Sequence, residues 1–494
     1  MAAQFKQNGF VRFKSVRFSA SLSSLSPFGR ARTLALGLAL AGTLTACGST
    51  HTIQPVTTGY VGSVAADEPS AALVARDILA KGGNAADAAT ALGFALSVTL
   101  PSRASLGSGG ACLAWRPGDA AGQAFIFLPK AGTADAKADR PAAVPMLARG
   151  LFLMHLGYGS VEFGQLVAPA RSLAAQGVSV SGLLATDLNA VKAPLLSDDA
   201  VRAVFGNDDD GAALGANDIL LQPRLAGALE RLRIAGVGDL YNGALGQTFV
   251  EGAQAAGGGL SKADLRAALA ATQTPLSARA DGVDISFLPP PADGGLGMAV
   301  AYLAGGRGAR AEQVVAAWRA RPAAQQGVAQ AQAVLEGGAV PTGGALPPLP
   351  ASTSFVVTDR MGETVSCALS MNNLFGTGRI AGSTGIILAA SPTRLPQPLL
   401  PVAIAHQGGQ FRAAAAASGQ NVAADTAAIA LHAAISGVRP QVTQGLGRAN
   451  LVSCPQGLPG AGACFGWTDP RDYAQPQPPV VAPPAPLHPA KRRK

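Results

Sequence analysis

Hydrophobic positions recur at helical spacing through much of the first half of the chain. Residues 69–101 predict two consecutive helices, the first ending at a Gly pair and the second capped by Asn84, with Asp87 in its first turn. Residues 141–275 continue mainly as helices separated by Gly and Asp turns. A helix-rich first half is therefore expected.

Strand-like runs lie between and after these helices. The stretch LGSGGACLAW predicts a Gly-rich turn entering a strand, where the glycines serve either a close backbone approach or a ligand loop. Further strands are predicted for VDISFLP, TGIILAA and FRAAAAASG, and NVAADTAAIALHAAISG predicts a helix. Residues 337–350, GGAVPTGGALPPLP, read as a linker, and the Pro-rich basic tail 474–494 is expected to have no fold.

The linker runs directly into a predicted β-hairpin, STSFVVTDRMGETVSCALSMNN. If the turn is centred on Met361, Ser352 lies opposite Ser370, and directly opposed residues sit about 5 Å apart at Cβ. Ser370 and Asn372 share a small polar face of the second strand. That face is either exposed to solvent or part of a reactive site.

The accessible linker suggests a role for the first residue of the hairpin. If the chain cleaves itself between Ala351 and Ser352, the new N-terminal amine can act as base for the Ser352 hydroxyl. This arrangement needs no His-Asp relay, which agrees with only five histidines and with the absence of a G-x-S-x-G motif. The pattern therefore predicts self-cleavage before Ser352.

Composition and charge exclude several other functions. Of the 494 residues, 48% are hydrophobic and 14% are charged, so a folded body is expected. The net charge of +9 is concentrated in residues 1–46 and 491–494, which leaves the rest close to neutral and argues against a nucleic-acid surface. The histidines are scattered and neither C-x-x-C nor H-E-x-x-H occurs, so neither a metal site nor a cofactor is expected.

The basic N-terminal region ends in a short apolar run before Cys47. Residues 1–46 therefore predict a cleavable signal peptide. LTAC resembles a bacterial lipobox, which predicts acylation of Cys47, a tether over residues 47–59 and a lipid-anchored, periplasm-facing place in the bacterial cell envelope. An ordinary signal peptide that happens to end before a cysteine is the alternative.

Four cysteines remain after Cys47. An exported compartment permits disulfides, and Cys454 and Cys464 bracket a Gly- and Pro-rich loop, so they are expected to pair. Cys112 and Cys367 lie in apolar, strand-like stretches and are expected to fill core positions instead of acting as nucleophiles. Whether they approach each other is left open, because strand order is not readable from spacing.

From about residue 60 to 440 the chain resembles the γ-glutamyltransferase (γ-glutamyltranspeptidase) family of N-terminal-nucleophile hydrolases. The resemblance rests on ordered stretches: AALVARDILAKGGNAADAATALGFALSV, LGSGGACLAW, YGSVEFGQLVAPARSLAAQGVSVS, LYNGALG, GGGLSKADL, PPPADGGLG and the hairpin. It implies an α+β fold, a four-layer αββα sandwich, and a precursor that cleaves itself into a large part, 60–351, and a small part, 352–473, which stay associated. It also implies hydrolysis or transfer of γ-glutamyl groups from glutathione-like compounds through an acyl-enzyme, with water or an amine as acceptor.

The resemblance also implies roles for single residues. An ungapped match places the family's nucleophile at Ser352, its assisting hydroxyl at Ser370 and its substrate-contacting Asn at Asn372. A gapped match would make Thr353 the nucleophile. Gly419, in ASGQN, is the candidate that remains from the family's Gly-rich oxyanion loop.

The chain departs from the family where the substrate is held. Leu128 stands at or near the place of the Arg that binds the α-carboxylate, with only Lys130 close by, and Leu400-Pro401 replace a pair of Ser residues. Two alternatives follow. One is a catalytically inactive member that acts as an envelope-anchored binding or structural lipoprotein, and the other is an active hydrolase with a different acyl specificity.

Overall fold

The computed structural model describes residues 60–207, 210–305, 311–441, 445, 447–460, 463–472 and 480–481. The predicted signal peptide, Cys47 and tether lie outside the described residues, as does most of the tail. Val480–Val481 of the tail form a short strand that pairs with Tyr60–Ala66, so the expectation that the tail has no fold is wrong at these two residues. Within the described ranges, none of the helices has the length and apolarity needed to cross a bilayer. No group of His, Cys, Asp and Glu side chains in the same ranges could hold a metal ion.

Most of the segments for which the hydrophobic pattern predicts a helix or a strand adopt that structure. The strands are β1 (Tyr60–Ala66), β2 (Gly109–Trp115), β3 (Gln123–Phe127), β4 (Lys130–Ala131), β5 (Ala143–Val144), β6 (Val178–Ser179), β7 (Ile219–Leu220), β8 (Ala271–Gln273), β9 (Leu276–Ala280), β10 (Val283–Phe287), β11 (Thr353–Asp359), β12 (Thr364–Ser370), β13 (Val402–Gln407), β14 (Gln410–Ser418), β15 (Arg448–Leu458), β16 (Phe465–Thr468) and β17 (Val480–Val481). The α-helices are α1 (Pro69–Ala80), α2 (Ala85–Thr99), α3 (Leu147–Tyr158), α4 (Phe163–Gln176), α5 (Gly182–Leu195), α6 (Asp199–Phe205), α7 (Pro223–Ala235), α8 (Gly238–Asn242), α9 (Ala244–Ala255), α10 (Lys262–Ala267), α11 (Gly294–Leu303), α12 (Ala311–Arg319), α13 (Val328–Leu335) and α14 (Ala423–Ile435).

Two antiparallel sheets form the centre of the fold. The first has the order β17-β1-β11-β12-β2-β3-β8, and the second has the order β16-β15-β14-β13-β10-β9. The predicted hairpin is β11 and β12, and it lies inside the first sheet between β1 and β2. The proposed large and small parts of the chain therefore share one sheet.

Three clusters of buried hydrophobic side chains lie between the layers and pack them together. One packs helices such as α2, α3 and α4 against the first sheet, and another packs α11, α12 and α14 against the second. The third lies between the sheets, where small side chains such as Ala111, Ala368 and Ala414 let the two sheets approach. The expected four-layer αββα sandwich is confirmed.

The start of α2 is fixed by the residues that the sequence indicates and by the hairpin turn. Asn84 and Asp87 form a capping box. From the turn, Asp359 Oδ2 accepts a hydrogen bond from Ala85 N (3.2 Å) and Glu363 Oε1 accepts one from Ala86 N (3.1 Å). Burial raises the pKa of Asp359 to about 6, and burial together with the Asp359 charge raises the pKa of Glu363 to about 8.

Among these local expectations, one is wrong and two are confirmed. TGIILAA is not a strand, because its backbone bonds to several separate segments instead of one neighbour, for example from Leu388 N to Arg379 O and from Ala390 N to Met371 O. Cys112 and Cys367 fill core positions, as expected, and the pairing that the sequence left open is a disulfide between facing residues of β2 and β12. The expected disulfide between Cys454 and Cys464 is present.

The Gly-rich entry to β2 has a structural reason. A Cβ on Gly109 would lie 2.3 Å from Phe127 O, and one on Gly110 would lie 2.4 Å from Ala368 O. These two glycines let the backbone of β2 fit between its neighbours, which favours the close-approach interpretation over a ligand loop.

Candidate functional site

The hairpin register agrees with the sequence prediction. Thr353 pairs with Leu369 and Ser354 pairs with Ala368, so Ser352, which directly precedes β11, lies opposite Ser370 at the end of β12. The polar face of β12 is not exposed to solvent, because it turns toward the second sheet and Ser370 is fully buried. The solvent-exposed alternative is therefore wrong.

Ser370 contacts the peptide bond at which cleavage is predicted. Its Oγ donates a hydrogen bond to the carbonyl oxygen of Ala351 (2.8 Å) and accepts one from Asn372 N (3.0 Å). The Ala351 carbonyl is therefore polarised by a donor that is itself fixed by the backbone. A donor in this position can stabilise negative charge that develops on that oxygen.

Asn372 lies just beyond the end of β12 in a left-handed conformation, with φ of 56°. Asn adopts this conformation more readily than most residues, but it is still uncommon outside glycine. Asn372 Nδ2 donates to Ala390 O (3.2 Å), whereas Asn372 Oδ1 and Ser352 Oγ are buried without a hydrogen-bond partner among the described residues. Two polar atoms of the predicted site are thus desolvated and unsatisfied in the uncut chain.

The segment upstream of Ser352 is irregular but anchored at its end. Residues 342–345 are exposed, whereas Leu349 and Pro350 are buried. Asn421 Oδ1 accepts from Leu349 N (2.9 Å), and Gln420 Nε2 donates to Leu349 O (2.7 Å). The chain is therefore accessible several residues before Ser352 and held in place immediately before it.

A buried carboxylate, Asp67, joins the start of β11 to the second sheet. Asp67 follows β1, and its Oδ2 accepts hydrogen bonds from Thr353 Oγ1 (2.9 Å), Ser354 N (3.1 Å) and Ser418 Oγ (3.3 Å). Its Oδ1 accepts from Asn450 Nδ2 on β15. Burial raises the pKa of Asp67, although the positive charge of Arg103 acts in the opposite direction.

A buried ion pair lies at the carbonyl of Ser352. Arg103 Nη1 donates to Ser352 O (3.2 Å), while Arg103 Nε and Nη2 donate to the two carboxylate oxygens of Asp187 on α5 (2.8 and 2.9 Å). Ser102 Oγ also donates to Asp187 (2.7 Å). The bidentate geometry fixes the guanidinium beside the candidate nucleophile.

The other candidate residues have less connection to this cluster. Leu128 packs against the cluster between the sheets, and Lys130 Nζ donates to Leu269 O (2.8 Å). Gly419 follows β14 with φ of 139°, and its carbonyl accepts from Val422 N (3.2 Å). Its role at an oxyanion stays a prediction.

Sequence reasoning missed Asp67, Arg103, Asp187 and Asn450. Each lies in a separate segment, and none belongs to a motif with a recognisable spacing. The one available signal is the placement of charged residues, Asp67 and Arg103, next to segments that are otherwise strongly apolar. Such residues are rarely buried unless they are paired.

The comparisons with known proteins agree with the fold and with the motifs. A family model described as gamma-glutamyltranspeptidase matches residues 71–304, a range that ends before Ser352. The glutathione hydrolase proenzyme of Escherichia coli K12 is 32% identical over 252 residues, which cover 48% of this chain and 43% of that protein. Glutathione hydrolase 3 of Arabidopsis thaliana is 26% identical over 410 residues, which cover 72% of this chain and 64% of that protein.

Solved structures share the fold over nearly their whole length, and a cephalosporin acylase is an example. The crystal structure of a cephalosporin acylase from Bacillus halodurans superposes with a TM-score of 0.67 at 18% identity, covering 87% of this chain and 98% of that one. The chain spans only about half the length of the first curated relatives, 43% and 48%. The matched sequence therefore relates residues 71–304 of this chain to the gamma-glutamyltranspeptidase family, and the superposition shows a shared fold.

Proposed function

We propose that the protein is a self-processing enzyme that cleaves itself before Ser352 and then hydrolyses or transfers γ-glutamyl or related acyl groups. The observation that carries this proposal is the hydrogen bond from Ser370 Oγ to the Ala351 carbonyl, the carbonyl that Ser352 would attack. The match of residues 71–304 to the gamma-glutamyltranspeptidase family model supports the reaction class.

In the proposed cleavage, Ser352 Oγ attacks the carbonyl carbon of Ala351 and loses its proton. Ser370 stabilises the resulting oxyanion, the C–N bond breaks, and the proton passes to the leaving nitrogen of Ser352. The product is an ester between Ala351 and the Ser352 side chain, which water hydrolyses to a carboxylate and a free hydroxyl. The new α-amino group of Ser352 is then available as base for its own hydroxyl.

After cleavage, Ser352 Oγ would attack the substrate's acyl carbonyl and form an acyl-enzyme, which water or an amine resolves. Asn372 Oδ1, which has no partner among the described residues of the uncut chain, is a candidate acceptor for the new α-amino group or for a substrate donor. Neither step requires a metal or an organic cofactor. The identities of the acyl group, γ-glutamyl or a related acyl, and of the acceptor, water or an amine, belong to the proposal.

A second cleavage position has its own support. Thr353 Oγ1 is hydrogen-bonded to the buried Asp67 carboxylate, and the Ser352 carbonyl accepts a hydrogen bond from Arg103. A hydroxyl next to a carboxylate and a carbonyl next to a cation form an alternative nucleophile and oxyanion pair. Cleavage before Thr353 would leave a small chain that is shorter by one serine.

The test is the intact mass, under reducing conditions, of the exported protein beside Ser352→Ala, Ser370→Ala and Ser366→Ala variants. Ser366 is the matched control because it lies on the same buried face of β12 and its weak bond goes to Phe355 O (3.4 Å). We expect two chains in the parent and in Ser366→Ala, one chain in Ser352→Ala, and slowed cleavage in Ser370→Ala.

The outcomes separate the hypotheses. A small chain that begins at Thr353, with cleavage retained in Ser352→Ala, would assign the nucleophile to Thr353. One uncut chain in the parent would refute self-processing and favour the binding or structural lipoprotein. Turnover of a γ-glutamyl anilide, compared with neutral acyl anilides and lost in Ser352→Ala, would then define the acyl specificity.

The proposed location is the bacterial envelope, with Cys47 acylated and the folded part facing the periplasm. The two disulfides support an oxidising compartment, because such bonds rarely persist in the cytosol. Metabolic labelling with a fatty acid, lost in Cys47→Ala, tests the anchor. An unlabelled but exported protein would indicate an ordinary signal peptide.

A further inference from the structure

The disulfide between Cys112 and Cys367 joins distant parts of the chain at the centre of the first sheet. The two residues are directly paired on β2 and β12, both are fully buried, and they are 255 residues apart in sequence. The second disulfide, Cys454–Cys464, closes a local loop with a separation of 10 residues. The two bonds therefore have different topological consequences.

The proposed cleavage position lies between the two cysteines of the first bond. Cys112 belongs to the part before Ala351, and Cys367 belongs to the part after it, whereas Cys454 and Cys464 both follow it. A cut at that position would separate the chain into two polypeptides joined by one covalent bond.

We propose that Cys112–Cys367 is the interchain disulfide of the processed protein and that it keeps the small chain attached through β12. This inference rests on the proposed self-cleavage. Formation of the bond oxidises two thiols, and an exported, oxidising compartment supplies the oxidising conditions. It makes the mature protein a covalently linked two-chain molecule instead of a pair held by packing alone.

The disulfide lies close along β12 to the candidate site. In the same register in which Cys112 faces Cys367, Gly109 faces Ser370. The disulfide therefore holds β12 against β2 three residues from Ser370, while the cut frees the end of β11 at Ser352. Cleavage can release the nucleophile without releasing the strand that carries its assisting hydroxyl.

The test uses an engineered cut, so that it does not depend on self-cleavage. A recognition sequence for a site-specific protease is inserted between Gly343 and Gly344, in the exposed part of the linker, in a Ser352→Ala background. After digestion, we expect one species on a denaturing gel without reductant and two species on a denaturing gel with reductant. Two species without reductant would overturn the proposal.

Two paired variants act as controls. Cys112→Ser/Cys367→Ser should give two species under both conditions, and Cys454→Ser/Cys464→Ser should behave like the parent. The melting temperature of the digested parent should be independent of protein concentration, whereas that of digested Cys112→Ser/Cys367→Ser should rise with concentration because two separate chains must associate. A concentration-dependent melting temperature in the digested parent would contradict the covalent link.

The unmodified protein separates this proposal from the proposed function. One species without reductant and two with reductant would support both. A single chain under reducing conditions would refute self-cleavage alone, and the engineered cut would still decide whether the bond spans the two parts.

Discussion

Replacing Asp67 tests whether its carboxylate holds the start of β11 in place. Asp67→Ala removes the acceptor of four hydrogen bonds, from Thr353, Ser354, Ser418 and Asn450. The Ser354 N–H is fixed by the backbone and has no simple alternative, and a buried unsatisfied donor costs about 1–3 kcal/mol. The two hydroxyls can rotate toward other acceptors, so each lost bond costs about 1 kcal/mol.

The loss is partly offset because the carboxylate itself is costly to bury, as the raised pKa of Asp67 indicates. We therefore expect Asp67→Ala to lower the free energy of unfolding by about 3 kcal/mol. Asp67→Asn keeps one oxygen acceptor but turns an NH2 group toward Asn450 Nδ2, so we expect a smaller loss of about 1–2 kcal/mol.

The assay is urea denaturation in a Ser352→Ala background, in which the proposed cleavage does not occur and every variant is one chain. Asp77→Ala is the control, because Asp77 is 55% exposed and forms an ion pair with the exposed Lys81, so its loss should cost less than about 1 kcal/mol. In the protein that retains Ser352, Asp67→Ala should also slow self-cleavage. A loss in Asp67→Ala no larger than that of the control would refute the role of the carboxylate.

Three further changes test the surroundings of the site. Burial raises the pKa of Asp359 to about 6 and that of Glu363 to about 8, so these two groups bind more protons in the native state than in the unfolded chain. Their contribution to stability is full below about pH 4 and is lost as pH rises through about 8. Glu363→Gln should flatten this fall in urea midpoints measured from about pH 5 to 9. Arg103→Ala leaves Asp187 buried without its countercharge and should cost about 3–5 kcal/mol in thermal or urea unfolding, with part of the loss restored in Arg103→Ala/Asp187→Ala. Asn421→Ala should raise the rate of limited proteolysis in the linker several-fold, because it removes the acceptor of the Leu349 N–H; an unchanged rate would show that other contacts hold the segment.

Local patterns could be read from the sequence because each depends on neighbouring residues. The capping box of α2 follows from Asn84 and Asp87 three positions apart. The placement of Ser352 opposite Ser370 follows from two alternating strands and a turn centred on Met361. The hairpin chemistry could therefore be located before its place in the fold was known.

Long-range pairing could not be read in this way. The disulfide between Cys112 and Cys367 depends on β2 lying next to β12, and strand order is not encoded in spacing. Asp67 binds Asn450 across 383 positions because the two sheets face each other. An apolar run such as TGIILAA has strand propensity, but the tertiary fold gives its backbone several partners instead of one.

The cation beside the candidate nucleophile is already neutralised. The sequence resemblance predicts Leu128 at or near the place of the family's carboxylate-binding Arg. Arg103, which contacts the Ser352 carbonyl, binds both oxygens of Asp187. For a substrate carboxylate to displace Asp187, that side chain would become a buried, uncompensated charge at a cost of about 3–5 kcal/mol, which offsets the gain from the new contact. A neutral acyl group carries no such cost. The buried ion pair therefore favours substrates that are uncharged near Arg103, and the comparison of γ-glutamyl with neutral acyl anilides measures that preference directly.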